Sequence, residues 1–464
     1  MNVKFKSLIR DIVIFAIGAL GSKVLLFLLL PLYTNILTDA EYGIADLVFT
    51  IGQLMLPFIS LAIFNGLIRF GLMKDVRREN VLLCSTIVFL VGSLGSVAIT
   101  PLFGFYRAIN QWKWYLCIFV IVQFAFTNSL TYLKVKDKNK LYSGLSIVQS
   151  ALLVGFNVLF LVALRWGIRG YLLSTIMSMG ITALLAFLMG NMSNDLKSAT
   201  YDKLLMKEMI VYSAPFILND LSWWMIHSSD KIMIEAMISG SMLGIYTAAS
   251  KIPSLINVFA SIFSSAWGLS SIKEYDGQND SGFYSTVFRY LCTVMFGACI
   301  VIIAIVRPFM RVYVGTEFFD AWHYVPLLLV SAAFSSIAAF SSSMLGAMKQ
   351  SLKIMTTTLA AGVINIIVNY VFINLCGVWG AVIGTVTAYF VVAILRMIQV
   401  KRKIPINYNI KRIALLAGIA TADALLVGLD LFVLPTCLIA LILFLIISYK
   451  DIILIFRIVS SLKK

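Results

Sequence analysis

Ionisable side chains stand out in one stretch of an otherwise apolar sequence, residues 212–253. Asp220, His227 and Lys231 lie in it at spacings of seven and four residues, and Lys251 lies near its end. An ionisable group at membrane depth costs about 3 kcal/mol or more, so it usually faces a protein interior or a water-filled cavity. We therefore expect this stretch to line a polar path through the protein.

Four of its residues recur at the spacing of one helical face, i, i+4, i+7 and i+11: Asp220, Trp224, His227 and Lys231. Asn219 and Asp230 flank that face. Aromatic rings suit sugar rings, whose C–H surfaces stack on them, and carboxylates and amides supply hydrogen bonds. The open alternative is that the charges near Lys231 only approach the outer interface and that the tryptophans only pack.

Composition indicates that the elements carrying these residues span a membrane. A hydrophobic fraction of 61% and a charged fraction of 12% leave too few polar groups to cover a soluble globule of 464 residues. Runs such as DIVIFAIGALGSKVLLFLLLPLY are unbroken, and each is long enough for a helix to cross about 30 Å of hydrocarbon. The sequence therefore predicts an all-α polytopic membrane protein.

About fourteen apolar runs are separated by polar breaks. The predicted spans lie near residues 11–33, 44–68, 81–103, 114–133, 142–164, 171–190, 210–238, 243–268, 286–306, 323–346, 354–375, 380–399, 412–430 and 436–456.

The distribution of basic residues predicts the orientation of the chain. With the N-terminus inside, 24 of the 37 Lys and Arg residues lie on inside segments and six lie on outside loops. An excess of Lys and Arg is typical of cytoplasmic loops, so we expect both termini in the cytoplasm. The net charge of +16 is then explained by these loops, and no nucleic-acid partner is expected.

A faint internal repeat divides the first twelve spans into two sets of six. GIRG at 167–170 matches GVWG at 377–380, and GI at 43–44 matches GI at 244–245, at offsets of 210 and 201. An even number of helices keeps the two copies in the same orientation, a plan that places a substrate path between halves. The predicted domains are six-helix bundles at 1–205 and 206–400, followed by two additional helices and a cytoplasmic tail at 401–464.

The sequence contains little that would indicate an enzyme. No loop exceeds about twenty residues, which leaves no room for a soluble catalytic domain, and no G-x-x-x-x-G-K phosphate loop occurs. The six cysteines are scattered singly, as expected of buried apolar thiols. We therefore expect a transporter rather than an enzyme, with no cofactor and no metal site.

Four segments together resemble a known family: KVLLFLLLPLYTNILTDAEYGIADL, YSAPFILNDLSWWMIHSSDKIMI, the following GIYTAASKIPSLI, and NIIVNYVFINLCGVWGAVIGT. In order and spacing they are similar to the lipid-linked polysaccharide flippases (Wzx-like, O-antigen or capsule type) of the MATE-like (MOP) exporter superfamily, over spans one to twelve. The resemblance implies two six-helix bundles around a central lumen, two appended helices and a place in the bacterial inner membrane.

The resemblance also implies a function, the export of undecaprenyl-diphosphate-linked oligosaccharide from the inner to the outer leaflet by alternating access. The implied partners are this substrate, the bilayer and a polysaccharide polymerase machinery. A lipid II-type flippase and a MATE-type multidrug antiporter are the open alternatives. The antiporter is disfavoured because its cavity usually carries acids rather than cations.

Such a substrate needs a polar groove and cations for its diphosphate, because an unpartnered sugar hydroxyl in hydrocarbon costs roughly 4–8 kcal/mol. Lys23, near the centre of span one, and Lys251, a third of the way into span eight, are too deep to reach the interface easily and are predicted in the lumen. Arg69 is predicted to meet the diphosphate at the cytoplasmic mouth, with an interface anchor as the alternative. Three further cations near inner ends are interpreted as interface anchors: Arg289, Arg396 and Lys450.

The coupling ion is left open between a proton and sodium. Histidine is the side chain that exchanges a proton most readily near neutral pH. His227 is therefore a candidate for proton coupling, and a hydrogen-bonded sugar contact is an equal alternative.

Removing the central cations tests the cationic lumen. Lys23→Ala and Lys251→Ala should each abolish export without lowering the protein level, because the diphosphate would lose its positive partner. Lys251→Arg should keep partial export, since it preserves the charge. Export is measured as surface polymer in cells carrying each variant. Unchanged export in both alanine variants would exclude a cationic lumen.

Overall fold

The computed structural model describes residues 27–274 and 281–460, and every regular element within them is helical. The helices are α1 (Phe27–Ile36), α2 (Asp39–Ser60), α3 (Ile63–Gly71), α4 (Arg78–Ile99), α5 (Lys113–Val135), α6 (Asn139–Asn157), α7 (Gly167–Met189), α8 (Met192–Ser198), α9 (Lys203–Met237), α10 (Gly240–Glu274), α11 (Ser281–Tyr313), α12 (Val325–Ala347), α13 (Ser351–Cys376), α14 (Val378–Lys401), α15 (Ile410–Gly428) and α16 (Val433–Ser460). Short 3₁₀ segments cover Thr100–Phe105, Asn110–Trp112 and Thr316–His323, and a π-helical segment covers Val158–Ala163.

Ten helices in the described part of the chain are long and apolar enough to cross a membrane. They confirm the prediction of an all-α polytopic membrane protein. The number fourteen is not confirmed, because α9, α10 and α15 are not among these ten helices and span one, predicted at 11–33, lies largely outside the described residues.

One predicted span is not a continuous helix. The run at 44–68 is divided between α2 and α3, because Leu61 and Ala62 adopt left-handed conformations with φ of 51° and 48°. This conformation costs roughly 1–2 kcal/mol per non-glycine residue. The backbone N–H groups at the break are still satisfied, since Ala62 donates to the Pro57 carbonyl at 3.1 Å and Leu61 to that of Phe58 at 3.3 Å. The sequence prediction failed here because both residues are ordinary helix formers.

Packing divides the described residues into two compact units. Ile36–Trp224 forms one, called here the N-terminal unit, and the described residues of 27–35 and 225–460 form the other, called the C-terminal unit. The domains 1–205, 206–400 and 401–464 rest on a sequence repeat rather than on packing, and they stay a prediction.

The N-terminal unit is held together by aromatic and small side chains. Phe124 is fully buried, and its ring meets Phe64 and Phe89 edge-on at centroid distances of 5.2 and 5.3 Å. Gly66 lets α3 approach α9 closely, and its N–H donates to the Ser213 hydroxyl at 3.1 Å. The first turn of α2 is closed by a capping box between Thr38 and Glu41.

The C-terminal unit is built around α12, whose apolar window is 83% buried and which packs on α10, α11 and α14. Trp267 of α10 stacks on Phe340 of α12 at 4.7 Å and donates its indole N–H to the Phe340 carbonyl. The described end of α1 belongs to this unit, because the Tyr313 hydroxyl donates to the Phe27 carbonyl at 2.5 Å. α12 is therefore the central support of this unit.

The two matching glycine segments share a positive φ at their first glycine. Gly167 and Gly377 have φ of 54° and 61°, values that favour glycine, and each precedes or begins a helix. Three residues on, a Cβ at Gly170 would lie 3.1–3.2 Å from Phe160 atoms of the preceding segment. A Cβ at Gly380 would overlap the backbone of Phe372 on α13. In both places glycine permits a sharp turn followed by close packing.

Arg396 is not the interface anchor expected from its position near the inner end of span twelve. Its side chain is completely buried, and its guanidinium donates to the Thr357 and Thr358 hydroxyls at 3.2 and 2.7 Å. It also donates to the Ala338 and Ile354 carbonyls, both at 3.3 Å. The expectation was wrong because these oxygens of α12 and α13 replace the water that a snorkelling arginine would reach.

The glycine packing predicts a selective effect on stability. Gly380→Ala should destabilise the protein by about 1–3 kcal/mol, because the new methyl group overlaps backbone atoms that cannot move aside easily. Gly418→Ala is the matched control, since nothing lies within 4 Å of a Cβ at that position on α15. It should be neutral or stabilising by up to about 1 kcal/mol. Thermal unfolding in detergent measures both, and equal shifts would contradict the close approach of α13 and α14.

Candidate functional site

The predicted polar face lies on a single helix. Asp220, Trp224, His227 and Lys231 all belong to α9, as the spacing indicated. The boundary between the two packing units falls within this helix, between Trp224 and Met225. Asp220 and Trp224 therefore belong to the N-terminal unit, and His227 and Lys231 belong to the C-terminal unit.

In the N-terminal unit the face is tied to α2. The Trp224 indole N–H donates to the Thr50 carbonyl at 3.0 Å, which fixes the orientation of the half-buried ring. Asn219 donates from its amide to the Asp220 carboxylate at 3.3 Å, and both side chains are half-buried. An amide, a carboxylate and an oriented aromatic ring are groups that can bind a sugar. Their role in substrate binding stays a prediction.

In the C-terminal unit Asp230 is the centre of a buried polar cluster. Its side chain is 2% exposed. It accepts hydrogen bonds from the Tyr246 hydroxyl of α10 and from the Thr385 hydroxyl of α14, the second at 3.3 Å. A buried carboxylate is costly unless hydrogen bonds compensate it, so these two donors help hold Asp230 in place. The arrangement joins three helices, α9, α10 and α14.

Two asparagines of α13 extend this cluster. The Ser229 hydroxyl donates to the Asn365 side-chain oxygen at 2.9 Å, and the Asn369 amide donates to the same oxygen at 3.0 Å. The Asn369 side-chain oxygen packs against Gly384, the neighbour of Thr385, and is a buried acceptor that makes no hydrogen bond with the residues that the structure describes. The cluster thus gathers a carboxylate with hydroxyl and amide oxygens, and oxygen ligands are those that hard cations prefer.

No group of three or more His, Cys, Asp or Glu side chains that could hold a metal ion is found within 27–274 and 281–460. The oxygens around Asp230 come from amide and hydroxyl groups instead. The cluster is therefore one carboxylate with neutral hydroxyl and amide neighbours, and the charge of Lys231, the next residue along α9, also acts on it.

His227 contacts a buried tyrosine of α14. Its own side chain is exposed, and its Nδ1 lies 2.7 Å from the hydroxyl of Tyr389, which is only 5% exposed. Lys231 lies one helical turn further along α9 and is half-buried. Tyr389 follows Thr385 of the cluster by one turn of α14, and a role of His227 in proton exchange stays a prediction.

Two of the remaining predicted cations lie on α10 and α3. Lys251 is half-buried on α10, and Arg69 is exposed in the last turn of α3, where the helix dipole favours a cation. Lys23 lies outside the described residues. Their contact with a diphosphate stays a prediction.

Sequence reasoning missed six residues of these hydrogen bonds: Ser229, Tyr246, Asn365, Asn369, Thr385 and Tyr389. A signal was present for two of them. Asn365 and Asn369 are spaced by one helical turn within an apolar span, and polar side chains in such spans usually bond to neighbouring helices. The tyrosines carried no comparable signal, because tyrosine is also common at membrane interfaces.

Comparison of the sequence with protein families gives one match. A family model described as "Polysaccharide biosynthesis protein" matches residues 8–268, which is more than half of the chain. No curated protein matches the sequence significantly.

The fold is similar to those of solved membrane transporters. The inward closed conformation of the lipid II flippase MurJ has a TM-score of 0.71 at 14% identity, covering 95% of this chain and all of that one. An inward-facing MATE-family multidrug transporter of the MOP superfamily has a TM-score of 0.63 at 15% sequence identity, and the match covers 85% of this chain and 99% of that one. A MATE transporter from Vibrio cholerae has a TM-score of 0.59 at 12% sequence identity, and the match covers 86% of this chain and 98% of that one. At these identities the likeness establishes the fold alone.

Proposed function

The chain belongs to the polysaccharide biosynthesis protein family, and from this premise we propose that it is a flippase for undecaprenyl-diphosphate-linked oligosaccharide. It carries the repeat unit from the inner to the outer leaflet of the bacterial inner membrane, and both termini lie in the cytoplasm. The family match over residues 8–268 is the observation that carries the proposal. The fold shared with a lipid II flippase supports it.

The polar groups of α9 and α10 suit the two chemically distinct parts of this substrate. Lys231 and Lys251, with Lys23 of span one, supply positive charge for the diphosphate, and Arg69 meets it at the cytoplasmic mouth. The oriented ring of Trp224 offers a surface for a sugar. The polyprenyl tail stays in the lipid. The predicted lumen opens to one side of the membrane at a time.

The membrane potential favours this direction of transport. Moving a diphosphate with about two negative charges outward across an inside-negative membrane is favoured by roughly 2.3 kcal/mol per charge per 100 mV. Once the substrate has been released, an ion moving inward resets the carrier.

We assign the coupling of that ion to the Asp230 cluster. A single buried carboxylate can take up one positive charge, either as a proton or as a sodium ion held by the surrounding oxygens. The hydrogen bonds of Asp230 to α10 and α14 connect the binding of the ion at this carboxylate to the packing of three helices. The His227–Tyr389 pair provides the exchange route to the surface if the ion is a proton.

A lipid II-type flippase is the second candidate, favoured by the TM-score of 0.71 with MurJ, which exceeds those of the two MATE transporters. Lipid II shares the polyprenyl diphosphate, so the same cations would serve. The description of the matching family favours a polysaccharide precursor as the substrate. A MATE-type multidrug antiporter remains the third candidate and lacks a comparable supporting observation.

Deleting the gene tests the flippase assignment. We expect surface polymer to be lost while the lipid-linked intermediate accumulates in the inner leaflet, because synthesis continues when export is blocked. The measurement is the amount of lipid-linked sugar in membrane extracts, with plasmid-borne wild-type protein as the control. If the intermediate does not accumulate, or if its synthesis stops, the protein is not its flippase.

Replacing Asp230 tests the coupling centre. In wild-type protein, sodium should raise the melting temperature relative to choline at equal ionic strength, or lowering the pH should do so if the ion is a proton. Asp230→Asn should lose this response. Asp423→Asn is the control, since Asp423 is a second buried carboxylate, 3% exposed, on the appended helix α15. A response that survives Asp230→Asn would exclude Asp230 as the coupling group.

A further inference from the structure

A small polar cavity lies where the appended helices join the inner end of α11. It has a volume of about 120 Å³ and is lined by Ser285 and Arg289 of α11, by Tyr408 of the loop that precedes α15, and by Arg412 of α15. At about 30 Å³ per water molecule, this space would hold about four waters. The distribution of basic residues predicts that it faces the cytoplasm.

The charges of the cavity wall do not cancel. Arg412 pairs with the buried Asp451 of α16 at 2.6 Å, and Arg289 approaches the other oxygen of the same carboxylate at 3.2 Å. Two guanidinium groups thus share one carboxylate, which leaves one positive charge in the wall. Arg289 is 42% exposed, so part of its side chain remains accessible to a ligand.

The positive charge continues beyond this cavity. The 407–409 segment also lines an adjoining cavity of about 420 Å³, to which Lys401 and Lys411 contribute. Both lysines are exposed. The segment is held to α11 because the Asn407 N–H donates to the Ser285 hydroxyl at 3.0 Å. Four cations therefore surround one fixed stretch of backbone.

A second observation points to a bound acceptor. Tyr408 is 5% exposed, and its buried hydroxyl makes no hydrogen bond with the described residues. Its ring is held edge-on against Phe288 at 4.8 Å. A buried polar group without a partner is expensive and calls for an explanation. Tyr408 belongs to the lining of the cavity, and a ligand oxygen that reaches its hydroxyl would supply the missing acceptor.

Burial also keeps this hydroxyl protonated. The pKa of Tyr408, which lies in the loop between α14 and α15, is raised above its ordinary value because burial disfavours the phenolate. At neutral pH Tyr408 is therefore a donor and suits an anion.

We propose that this cavity binds the phosphate group of an anionic lipid, with Arg289 supplying charge and Tyr408 donating a hydrogen bond. Arginine is well suited to phosphate because its fork of N–H groups matches two phosphate oxygens. The phosphate occupies the cavity, and Lys401 and Lys411 attract the anionic headgroup from the membrane surface.

The surrounding surface favours a lipid over a free anion. Leu415 of α15 and Ile453 of α16, on the helices that flank the cavity, are 52% and 48% exposed. Such side chains suit the acyl or polyprenyl chains that accompany a lipid phosphate. The lipid is either a glycerophospholipid or a polyprenyl phosphate, which share this chemistry. The proposal does not depend on what the protein transports.

Lipid binding by the purified full-length protein tests the site. Phosphatidylglycerol, undecaprenyl phosphate, phosphatidylcholine and inorganic phosphate are added separately, and the melting temperature and the number of bound lipids by native mass spectrometry are recorded. We expect one of the first two, or both, to bind and to raise the melting temperature. Phosphatidylcholine and inorganic phosphate should not do so at the same concentration.

Two variants then locate the binding. Tyr408→Phe keeps the ring against Phe288 and removes only the hydroxyl, and Arg289→Gln removes the accessible charge while leaving Arg412 paired with Asp451. Each should weaken lipid binding roughly tenfold or more, the usual size of a hydrogen bond to a charged group. Arg311→Gln, at the other end of α11 and also exposed, is the matched control and should bind normally.

The outcomes separate the sources of the phosphate. Tighter binding of phosphatidylglycerol identifies a membrane phospholipid, and tighter binding of undecaprenyl phosphate identifies the carrier lipid; both support the site. Wild-type affinity in both variants overturns the proposal, as does equal binding of phosphatidylcholine or of inorganic phosphate. If Tyr408→Phe does not fold, Arg289→Gln alone decides between these outcomes.

Discussion

The lack of water inside a bilayer constrains this protein most strongly, because a polar side chain buried within its helices is costly unless other groups of the protein hydrogen-bond to it. Asp230 illustrates the constraint. Its carboxylate is buried and is held by hydroxyls from α10 and α14, so the same hydrogen bonds that make the charge tolerable also join three helices. The proposed coupling role of Asp230 rests on this connection, since a change in its charge would act on hydrogen bonds from two other helices.

Some buried polar groups have all their hydrogen bonds within the protein and serve the packing of the helices, whereas others lack them and are candidates for binding a ligand. The Arg396 guanidinium is satisfied by two threonines and two carbonyls, and it ties α14 to α12 and α13. The Asn369 side-chain oxygen and the Tyr408 hydroxyl are buried and make no hydrogen bond with the described residues. Asn369 belongs to the cluster around Asp230, and Tyr408 lines a cavity together with Arg289. A buried polar group of this kind calls for an explanation, which is why both regions carry proposals.

The repeated glycines connect the fold to the site. The GIRG and GVWG segments each provide a sharp turn and then a close helix contact, and in the second segment that contact brings α14 against α13. Gly384, one turn after Gly380, leaves room for the Asn369 side chain beside Thr385. The polar cluster around Asp230 thus depends on small residues that let two helix backbones approach.

The sequence by itself determined the helical membrane class, most helix positions and the common face of α9, because hydrophobic length and helical spacing are local properties. It also singled out Asp230 as unusual. It could not show that Asp230 bonds to Tyr246 and Thr385, that Arg396 is buried, or that α2 and α3 are separate helices. Those features depend on which side chains from distant segments meet, or on a local backbone conformation that ordinary residues do not signal. Only the tertiary packing decided them, because buried polar groups need hydrogen-bond partners that come from distant segments.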